Sequence, residues 1–221
     1  MFEAKNLNVL NKANNLIFVT NVNFKINSNE IWRLRGPNGI GKSSFYEALI
    51  GLREINQGEI ILNSSITLNN LSSIKRIELG LKYIPQKNSF FQDLSVYNNL
   101  CIFAEYLVPK ANEREDTINK AISTFQINEF VYKTPNQLSG GQLRLCELSK
   151  LMVGKCQLAL IDEPFAALDI PTIENVCEIF IKLKEKGLSF LINDHNLKAL
   201  ESISDFDLAI TKTNVKIISN H

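Results

Sequence analysis

The spacing of apolar residues divides the chain into three regions. Near the start, apolar residues alternate with polar ones, as in Val22, Phe24 and Ile26, and this alternation predicts β-strands. From about residue 90 to residue 155 the spacing is helical instead, and Val96–Leu107 and Gly141–Val153 are predicted helices. Strands and helices then alternate again. The middle region is therefore interpreted as a helical segment inserted into an α/β core.

The pattern predicts further strands and helices, which outline a sheet. The predicted strands are Leu16–Thr20, Ile31–Leu34, Glu59–Leu62, Ile66–Leu68 (a hairpin with the preceding run), Lys82–Pro85, Leu158–Ile161 and Leu188–Ile192, with one or two edge strands in Leu208–Ile218. The predicted helices are Ser44–Leu52, Asn112–Phe125 with Asn112 as its cap, and Pro171–Lys186. Because strands and helices alternate, we expect a mostly parallel sheet. Arg33 and Arg35 indicate that one face or the end of their strand is partly exposed.

Composition narrows the classes of function. The chain has 24 basic and 23 acidic residues among 221, so its net charge does not favour a nucleic acid as partner. The four cysteines are far apart, which argues against a zinc site or a disulfide framework and indicates a reducing compartment. No apolar run approaches the ~20 residues that cross a bilayer, and the N-terminus lacks a signal-peptide pattern. We therefore expect a cytoplasmic protein that reaches any membrane through a partner.

A phosphate-binding pattern, G-x-x-x-x-G-K-[ST], lies between a predicted strand and a predicted helix. Its residues, with the one that follows, are Gly36, Pro37, Asn38, Gly39, Ile40, Gly41, Lys42, Ser43 and Ser44. The glycines allow backbone N–H groups to converge on a triphosphate, Lys42 can reach the β- and γ-phosphates, and Ser43 can hold Mg²⁺. The pattern by itself predicts only a nucleotide-binding protein.

Two acidic residues follow the apolar strand Leu158–Ile161. Asp162 should emerge at the carboxyl edge of the sheet, where α/β proteins bind ligands, and can hold Mg²⁺ directly or through water. Glu163 should face the γ-phosphate, which makes it the candidate general base for the attacking water. The alternative is a helix-capping turn without a catalytic role, and the phosphate loop upstream disfavours it.

Two more polar residues follow predicted strands and can reach the same edge. Gln86 could contact Mg²⁺ and the attacking water and so respond to the γ-phosphate, and His195 could contact the γ-phosphate itself. The alternatives are an ordinary surface glutamine and a structural histidine. Their positions after strands of the predicted core favour the catalytic interpretation for both.

A second glycine-rich segment begins the predicted helix Gly141–Val153. Ser139, Gly140, Gly141 and Gln142 present free N–H groups and a hydroxyl at a helix N-terminus, which is an anion site. The segment lies too far along the helical region to reach the nucleotide of its own chain easily. Two chains arranged head to tail would instead enclose two ATP molecules. The alternative is a helix start that binds nothing.

Six segments, taken in order, resemble the motif set of ABC transporter ATPase subunits over roughly residues 30 to 200: Gly36–Ser43, Gln86, Leu138–Gln142, Leu160–Pro164, Ala167–Asp169 and His195. Within that family the chain looks most similar to the group of lipopolysaccharide-export and branched-chain amino-acid importer ATPases. The resemblance implies ATP and Mg²⁺ as ligands and ATP hydrolysis coupled to transport. It also implies an α/β P-loop NTPase core of the ABC type, with a mostly parallel sheet, an N-terminal antiparallel β-subdomain and an inserted α-helical subdomain.

The resemblance further implies boundaries and partners. Residues 1–88 and 155–221 would form the nucleotide-binding core, and residues 89–154 the helical subdomain. Asp169 would lie at the seam of a homodimer, or of a pair with a related ATPase subunit, and would couple the two sites. Lys87–Tyr97 would line a groove for a short helix of a transmembrane subunit, at the inner face of the cell membrane, through Phe90, Phe91, Leu94 and Tyr97.

The sequence leaves open which residue contacts adenine and whether the ATPase serves a transporter. Family members usually stack an aromatic residue on adenine, but the matching position lies near Ala13, which leaves Phe18 or Phe2 for that contact. The alternative function is a non-transport ABC ATPase that acts on a soluble complex, in DNA repair or on the ribosome.

Overall fold

Two β-sheets and seven α-helices make up the part of the chain that a computed structural model describes, namely residues 1–10, 17–210 and 215–219. The strands are β1 (Phe2–Leu10), β2 (Ile17–Ile26), β3 (Ile31–Arg35), β4 (Ile55–Leu62), β5 (Ile66–Thr67), β6 (Leu81–Ile84), β7 (Leu158–Asp162), β8 (Ser189–Asn193), β9 (Phe206–Ile210) and β10 (Val215–Ser219). The helices are α1 (Lys42–Ile50), α2 (Ser73–Glu78), α3 (Val96–Leu107), α4 (Ala111–Thr124), α5 (Gly140–Ser149), α6 (Ile170–Glu185) and α7 (Leu197–Ile203).

The larger sheet has the strand order β10-β9-β3-β8-β7-β6. Every neighbouring pair in it is parallel except β10 with β9, which is antiparallel. β10 is therefore the edge strand of the tail, whereas β9 lies inside the sheet. Because β3, β6, β7 and β8 run in the same direction, their carboxyl ends meet at one edge of the sheet.

The smaller sheet is antiparallel, in the order β2-β1-β4-β5, and includes the predicted hairpin of β4 and β5. Together the two sheets and the helices confirm the predicted α/β fold class. The proposed boundaries at residues 88/89 and 154/155 stay a prediction, since residues of α3, α4 and α5 share one apolar cluster with the larger sheet.

Several helix boundaries differ from the prediction. The helix Val96–Leu107 is found as predicted, but α1 begins at Lys42 and ends at Ile50, so Leu52 lies beyond it and is 60% exposed. The predicted cap Asn112 is wrong, because α4 begins at Ala111 and Asn112 lies inside its first turn. α5 is shorter than predicted, and a 3₁₀ turn, Lys150–Met152, follows it.

Apolar side chains cover both faces of the larger sheet. On β7, Leu158 and Leu160 join a cluster with α1 and the smaller sheet, whereas Ala159 and Ile161 join the cluster that includes α3, α4, α5 and α6. All five residues of this strand are buried. Burial on both faces is typical of a central parallel strand and explains why its sequence reads as a continuous apolar run.

Of the two alternatives for this strand, the structure shows exposure at its end, where Arg35 is half-exposed, whereas Arg33 is buried. Arg33 Nε and Nη2 each donate to a carboxylate oxygen of Asp207 at 2.7 Å, and both residues are almost fully buried. The two side chains meet because β3 and β9 pair in parallel with these residues in register. The hydrogen bonds with Asp207 raise the pKa of Arg33.

No helix in residues 1–10, 17–210 and 215–219 has the length and apolar character that a membrane span requires.

We predict that Asp207→Leu lowers the free energy of unfolding by about 3–5 kcal/mol, because it leaves the guanidinium of Arg33 buried without its carboxylate. The double variant Arg33→Met/Asp207→Leu should recover most of that loss, since neither charge is then buried alone. Chemical denaturation followed by circular dichroism measures all three proteins. A single variant as stable as the wild type would contradict this role of the ion pair.

Candidate functional site

The segment 36–41 joins β3 to α1 and forms a loop at the carboxyl edge of the larger sheet. Gly39 and Gly41 adopt left-handed φ angles of 75° and 101°, which a residue with a side chain would adopt only under strain. Lys42 Nζ donates to the carbonyl oxygens of Gly36 at 2.9 Å and Pro37 at 3.2 Å. The loop thus places an ammonium group and the N–H groups of a helix start at one point, which is an arrangement that binds phosphate.

Asp162 is the last residue of β7 and is buried beside the loop. Its Oδ2 accepts a 2.5 Å hydrogen bond from Ser43 Oγ, and its Oδ1 accepts one of 2.7 Å from Asn193 Nδ2. Asn193 Oδ1 is buried and has no hydrogen-bond partner among the described residues. This unpaired oxygen and the neighbouring carboxylate and hydroxyl are hard donors, so the residues present fit a hydrated divalent cation such as Mg²⁺.

Glu163 brings the three predicted catalytic residues together. Its Oε2 accepts a hydrogen bond from Gln86 Nε2 at 2.7 Å, and its Oε1 lies 3.1 Å from His195 Nε2. The backbone of Glu163 has a left-handed φ of 55°, and its N–H donates to the carbonyl of Asn193 at 2.8 Å. A left-handed conformation is uncommon for glutamate and marks a backbone held in place by its surroundings.

The loop that carries His195 is fixed by its neighbour Asp194. The carboxylate of Asp194 accepts hydrogen bonds from the backbone N–H groups of Phe165 at 2.8 Å and Asn196 at 2.7 Å. Asn196 in turn caps α7 by accepting from the N–H of Ala199. These bonds hold His195 at the end of β8 although its own side chain is 64% exposed.

Arg144 is a site residue to which the sequence pattern assigned no role. Its Nη1 donates to the carbonyl of Pro85 at 2.8 Å and its Nη2 to the carbonyl of Asp162 at 2.7 Å. It therefore joins the ends of β6 and β7, directly before Gln86 and Glu163. Burial lowers the pKa of Arg144, but a guanidinium stays charged in this range. Only the fold brings these strand ends to α5, so local pattern could not reveal the contact.

The segment 139–142 forms the start of α5. Ser139 Oγ accepts from the N–H of Gln142, and Gln142 Oε1 accepts from the N–H of Ser139, which is a capping box. Gly141 lies against Ala167, since a Cβ at position 141 would be 2.9 Å from the carbonyl oxygen of Ala167. Within the described part of the chain, no hydrogen bond links this segment to the loop 36–41.

Asp169 is the N-cap of α6. Its carboxylate accepts a 3.1 Å hydrogen bond from the backbone N–H of Thr172. Hydrogen bonds from the side chain and backbone of Thr172 lower the pKa of Asp169. The same residue lines a cavity of about 360 Å³ with Ser139 and Gln142, so the structure brings Asp169 close to the glycine-rich helix start.

Comparison with known sequences decides the family. The sequence pattern of the ABC transporter family matches residues 19–166. The chain is 33% identical to the lipopolysaccharide export system ATP-binding protein LptB of Haemophilus influenzae, over 81% of this chain and 75% of that protein. It is 31% identical to a probable branched-chain amino acid transport ATP-binding protein, LivF, of Archaeoglobus fulgidus, over 93% of this chain and 86% of that protein.

The chain belongs to the ABC transporter family. The predicted function, an ATP-hydrolysing ATP-binding subunit of an ABC transporter, is confirmed by this membership, and so is the similarity to the group that contains LptB and LivF.

Solved structures confirm the ABC fold. A dimeric ATP-binding cassette in a post-hydrolysis state, bound to ADP and Pi, superimposes with a TM-score of 0.89 at 22% identity, over 100% of this chain and 99% of that one. CbiO1 of Clostridium perfringens, part of an ABC transporter complex, gives a TM-score of 0.83 at 21% identity, over 99% of this chain and 88% of that one.

One expectation about the adenine contact of this ABC subunit is wrong. Phe2 is 1% exposed and packs with its ring centroid 6.0 Å from that of Phe24, so it cannot stack on a base. Ala13 lies outside the described residues, and the side chain of Phe18 does so too.

We predict that Arg144→Met lowers kcat for ATP hydrolysis about tenfold, which corresponds to ~1.4 kcal/mol, because the strand ends that carry Gln86 and Glu163 lose a common anchor. The measurement is a steady-state ATPase assay at a temperature where circular dichroism finds the protein folded. Arg114→Met is the matched control, since Arg114 also donates to a carbonyl, that of Val108, on α4. Equal rates in the two variants would contradict the anchoring role of Arg144.

Proposed function

We propose that two copies of this chain close head to tail around two ATP molecules, hydrolyse them, and move a transmembrane partner as they close and reopen. The observation that carries the proposal is the position of the Glu163 carboxylate. It contacts Gln86 and His195 and follows Asp162, which is hydrogen-bonded to Ser43 of the phosphate loop. Phosphate-binding and proton-accepting groups therefore lie side by side, as phosphoryl transfer requires.

In this proposal the segment 36–44 holds the triphosphate. The N–H groups of the loop and of the first turn of α1 face the phosphate oxygens, and Lys42 leaves the carbonyls of Gly36 and Pro37 to pair with the β- and γ-phosphates. The positive end of the α1 dipole adds to the attraction.

Ser43, Gln86 and Asp162 are the proposed ligands of Mg²⁺, directly or through water. When bound, the ion would neutralise charge that develops on the phosphate oxygens. Asn193 supports this role, because its Nδ2 orients the Asp162 carboxylate and its Oδ1 is free to accept from a water of the ion.

Glu163 is the proposed general base. Its carboxylate accepts a proton from water as the water oxygen bonds to the γ-phosphorus and the bond from that phosphorus to the β–γ bridging oxygen breaks, which yields ADP and phosphate. His195 contacts the γ-phosphate from the end of β8, and Gln86 orients the water. The contacts of both residues with Glu163 keep its carboxylate in position before ATP arrives.

The second copy completes each site in this proposal. Ser139, Gly140, Gly141 and Gln142 of one copy would meet the γ-phosphate held by the loop of the other. Asp169 caps α6 next to this helix start and is thus placed to couple the two sites across the seam.

The partner of the proposed transporter would bind an apolar groove. The groove has a volume of about 510 Å³ and is lined by residues of α2, β6 and α3, among them Phe103 and Tyr106, and by Phe91 of the segment between β6 and α3. Phe91 is 57% exposed and Tyr106 is 52% exposed. An exposed apolar groove between helices suits an amphipathic helix. We therefore favour a transmembrane subunit as the partner over a soluble complex or a nucleic acid. The chain would then lie at the inner face of the membrane.

The groove uses fewer of the predicted residues than expected. Among Phe90, Phe91, Leu94 and Tyr97, only Phe91 lines it. Phe90 is buried beneath, with its ring 6.4 Å from that of Phe103. Tyr97 packs on Tyr132 instead.

We predict that Glu163→Gln reduces ATP turnover at least a hundredfold while ATP binding is retained, because the amide cannot accept the proton from water. With ATP present the variant should accumulate as a dimer, which light scattering after gel filtration measures. Glu129→Gln is the matched control, since Glu129 is exposed on the surface. Turnover by Glu163→Gln near the wild-type rate would refute the assignment of the base.

We predict that Phe91→Asp abolishes recovery of multi-span membrane proteins when the protein is captured from detergent-solubilised membranes with ATP, because a carboxylate in the groove opposes an apolar helix. Tyr132→Asp is the control, since Tyr132 is 74% exposed but does not line the groove. Mass spectrometry identifies the proteins recovered. Equal recovery by both variants would place the partner elsewhere.

A further inference from the structure

Arg76 is a buried cation outside the catalytic edge. It lies on α2 and is 3% exposed. Its Nη1 donates to the carbonyls of Ala48 at 3.1 Å and Leu49 at 2.8 Å, its Nε to that of Leu71 at 3.1 Å, and its Nη2 to that of Asn69 at 3.4 Å. Within the described ranges, no carboxylate forms an ion pair with it.

The negative end of α1 compensates this charge. Ala48 and Leu49 lie in the last turn of α1, where the helix dipole is negative, and the carbonyl of Ala48 already accepts from the N–H of Gly51 at 3.2 Å. Burial lowers the pKa of Arg76, but the guanidinium remains charged in the neutral range. The guanidinium therefore donates to two carbonyls of the last turn and opposes the helix dipole at the same time.

Arg76 fits closely against the end of this helix. Gly51 caps the C-terminal end of α1 with a left-handed φ of 84°, and a Cβ at that position would lie 2.8 Å from Arg76 Nε. The glycine thus serves two purposes, since it permits the turn and leaves space for the guanidinium.

The elements on the other side of Arg76 are themselves fixed. Ser72 caps α2, and Glu78 at its end accepts a 3.2 Å hydrogen bond from the hydroxyl of Tyr106 on α3. The side chain of Asn69 bonds the backbone of Ile60 and Gly58 on β4. Arg76 therefore joins the end of α1 to elements that other hydrogen bonds already hold in place.

The opposite end of α1 is the phosphate-binding end. The helix has nine residues, so only about 13 Å separates its last turn from Lys42 and Ser43. Such a short helix moves as one piece, and a shift or loss of the last turn displaces the first.

We propose that Arg76 is a positioning residue for the nucleotide phosphates, because it holds the C-terminal end of the helix whose N-terminal end carries Lys42 and Ser43. The inference rests on the proposed function of those two residues. It assigns Arg76 no contact with the nucleotide.

Two substitutions separate the charge of Arg76 from its space-filling role. Arg76→Lys keeps the cation, whereas Arg76→Gln keeps a donor without charge. Titration calorimetry with ADP, and with ATP in the absence of Mg²⁺, measures the Kd at a temperature where each protein is folded. We expect Arg76→Gln to weaken both nucleotides about tenfold and Arg76→Lys by less than about threefold.

Arg53→Gln is the matched control, since Arg53 also lies just beyond α1 but pairs with the side-chain carboxylate of Glu47. Its Kd values should equal those of the wild type. An unchanged Kd for Arg76→Gln, with only a lower melting temperature, would make Arg76 purely structural and overturn the proposal. Equal weakening by Arg76→Lys and Arg76→Gln would overturn the role of the charge.

Hydrogen exchange provides a second measurement, in the variant Arg76→Gln at a temperature where it is folded. Faster exchange at both Lys42–Tyr46 and the last turn of α1 supports the coupling of the two ends, whereas a change confined to the last turn overturns it. The wild-type titration tests the proposed function separately. Failure of the wild type to bind ADP or ATP would overturn nucleotide binding itself, and the inference about Arg76 with it.

Discussion

The candidate site depends on the hydrogen bond between Ser43 and Asp162, which joins helix α1 to the end of strand β7. It can form because β3, which leads into the loop, and β7 are parallel strands of one sheet and end at the same edge. β6 and β8 end there too and bring Gln86 and His195 to the carboxylate of Glu163. Residues far apart in sequence thereby become neighbours through strand order alone.

Polar groups at this edge are kept in place by buried partners, since a buried polar group without one is costly. Arg144 donates to the carbonyls at the ends of two strands, and Asn193 donates to one carboxylate oxygen of Asp162. Arg76 has the same role away from this edge, because it donates to two carbonyls at the C-terminal end of α1. These buried contacts fix the strand ends and both ends of α1, which carry the candidate site.

The sequence predicted those elements correctly whose structure depends on residues close together in the chain. The loop 36–41 between β3 and α1 and the helix Val96–Leu107 depend on residues within a few positions of one another, and both lie where the sequence predicted them. It could not show that Arg33 is buried, because its partner Asp207 is 174 residues away, and it extended α1 to Leu52, although the helix ends at Ile50. The contacts of Arg144 and Arg76 also depend on tertiary packing, so no local pattern could predict them.

The most direct test of the central claim is a cross-link between the two segments that are proposed to meet across ATP. Glu163→Gln protein with Asn38→Cys and Ser139→Cys would be oxidised with and without ATP. Proteins that carry only one of these two cysteine substitutions are the controls for the four native thiols. We predict a covalent dimer that forms with ATP and is nearly absent without it. No dimer with ATP, or an equal yield in its absence, would contradict a head-to-tail pair closed by nucleotide.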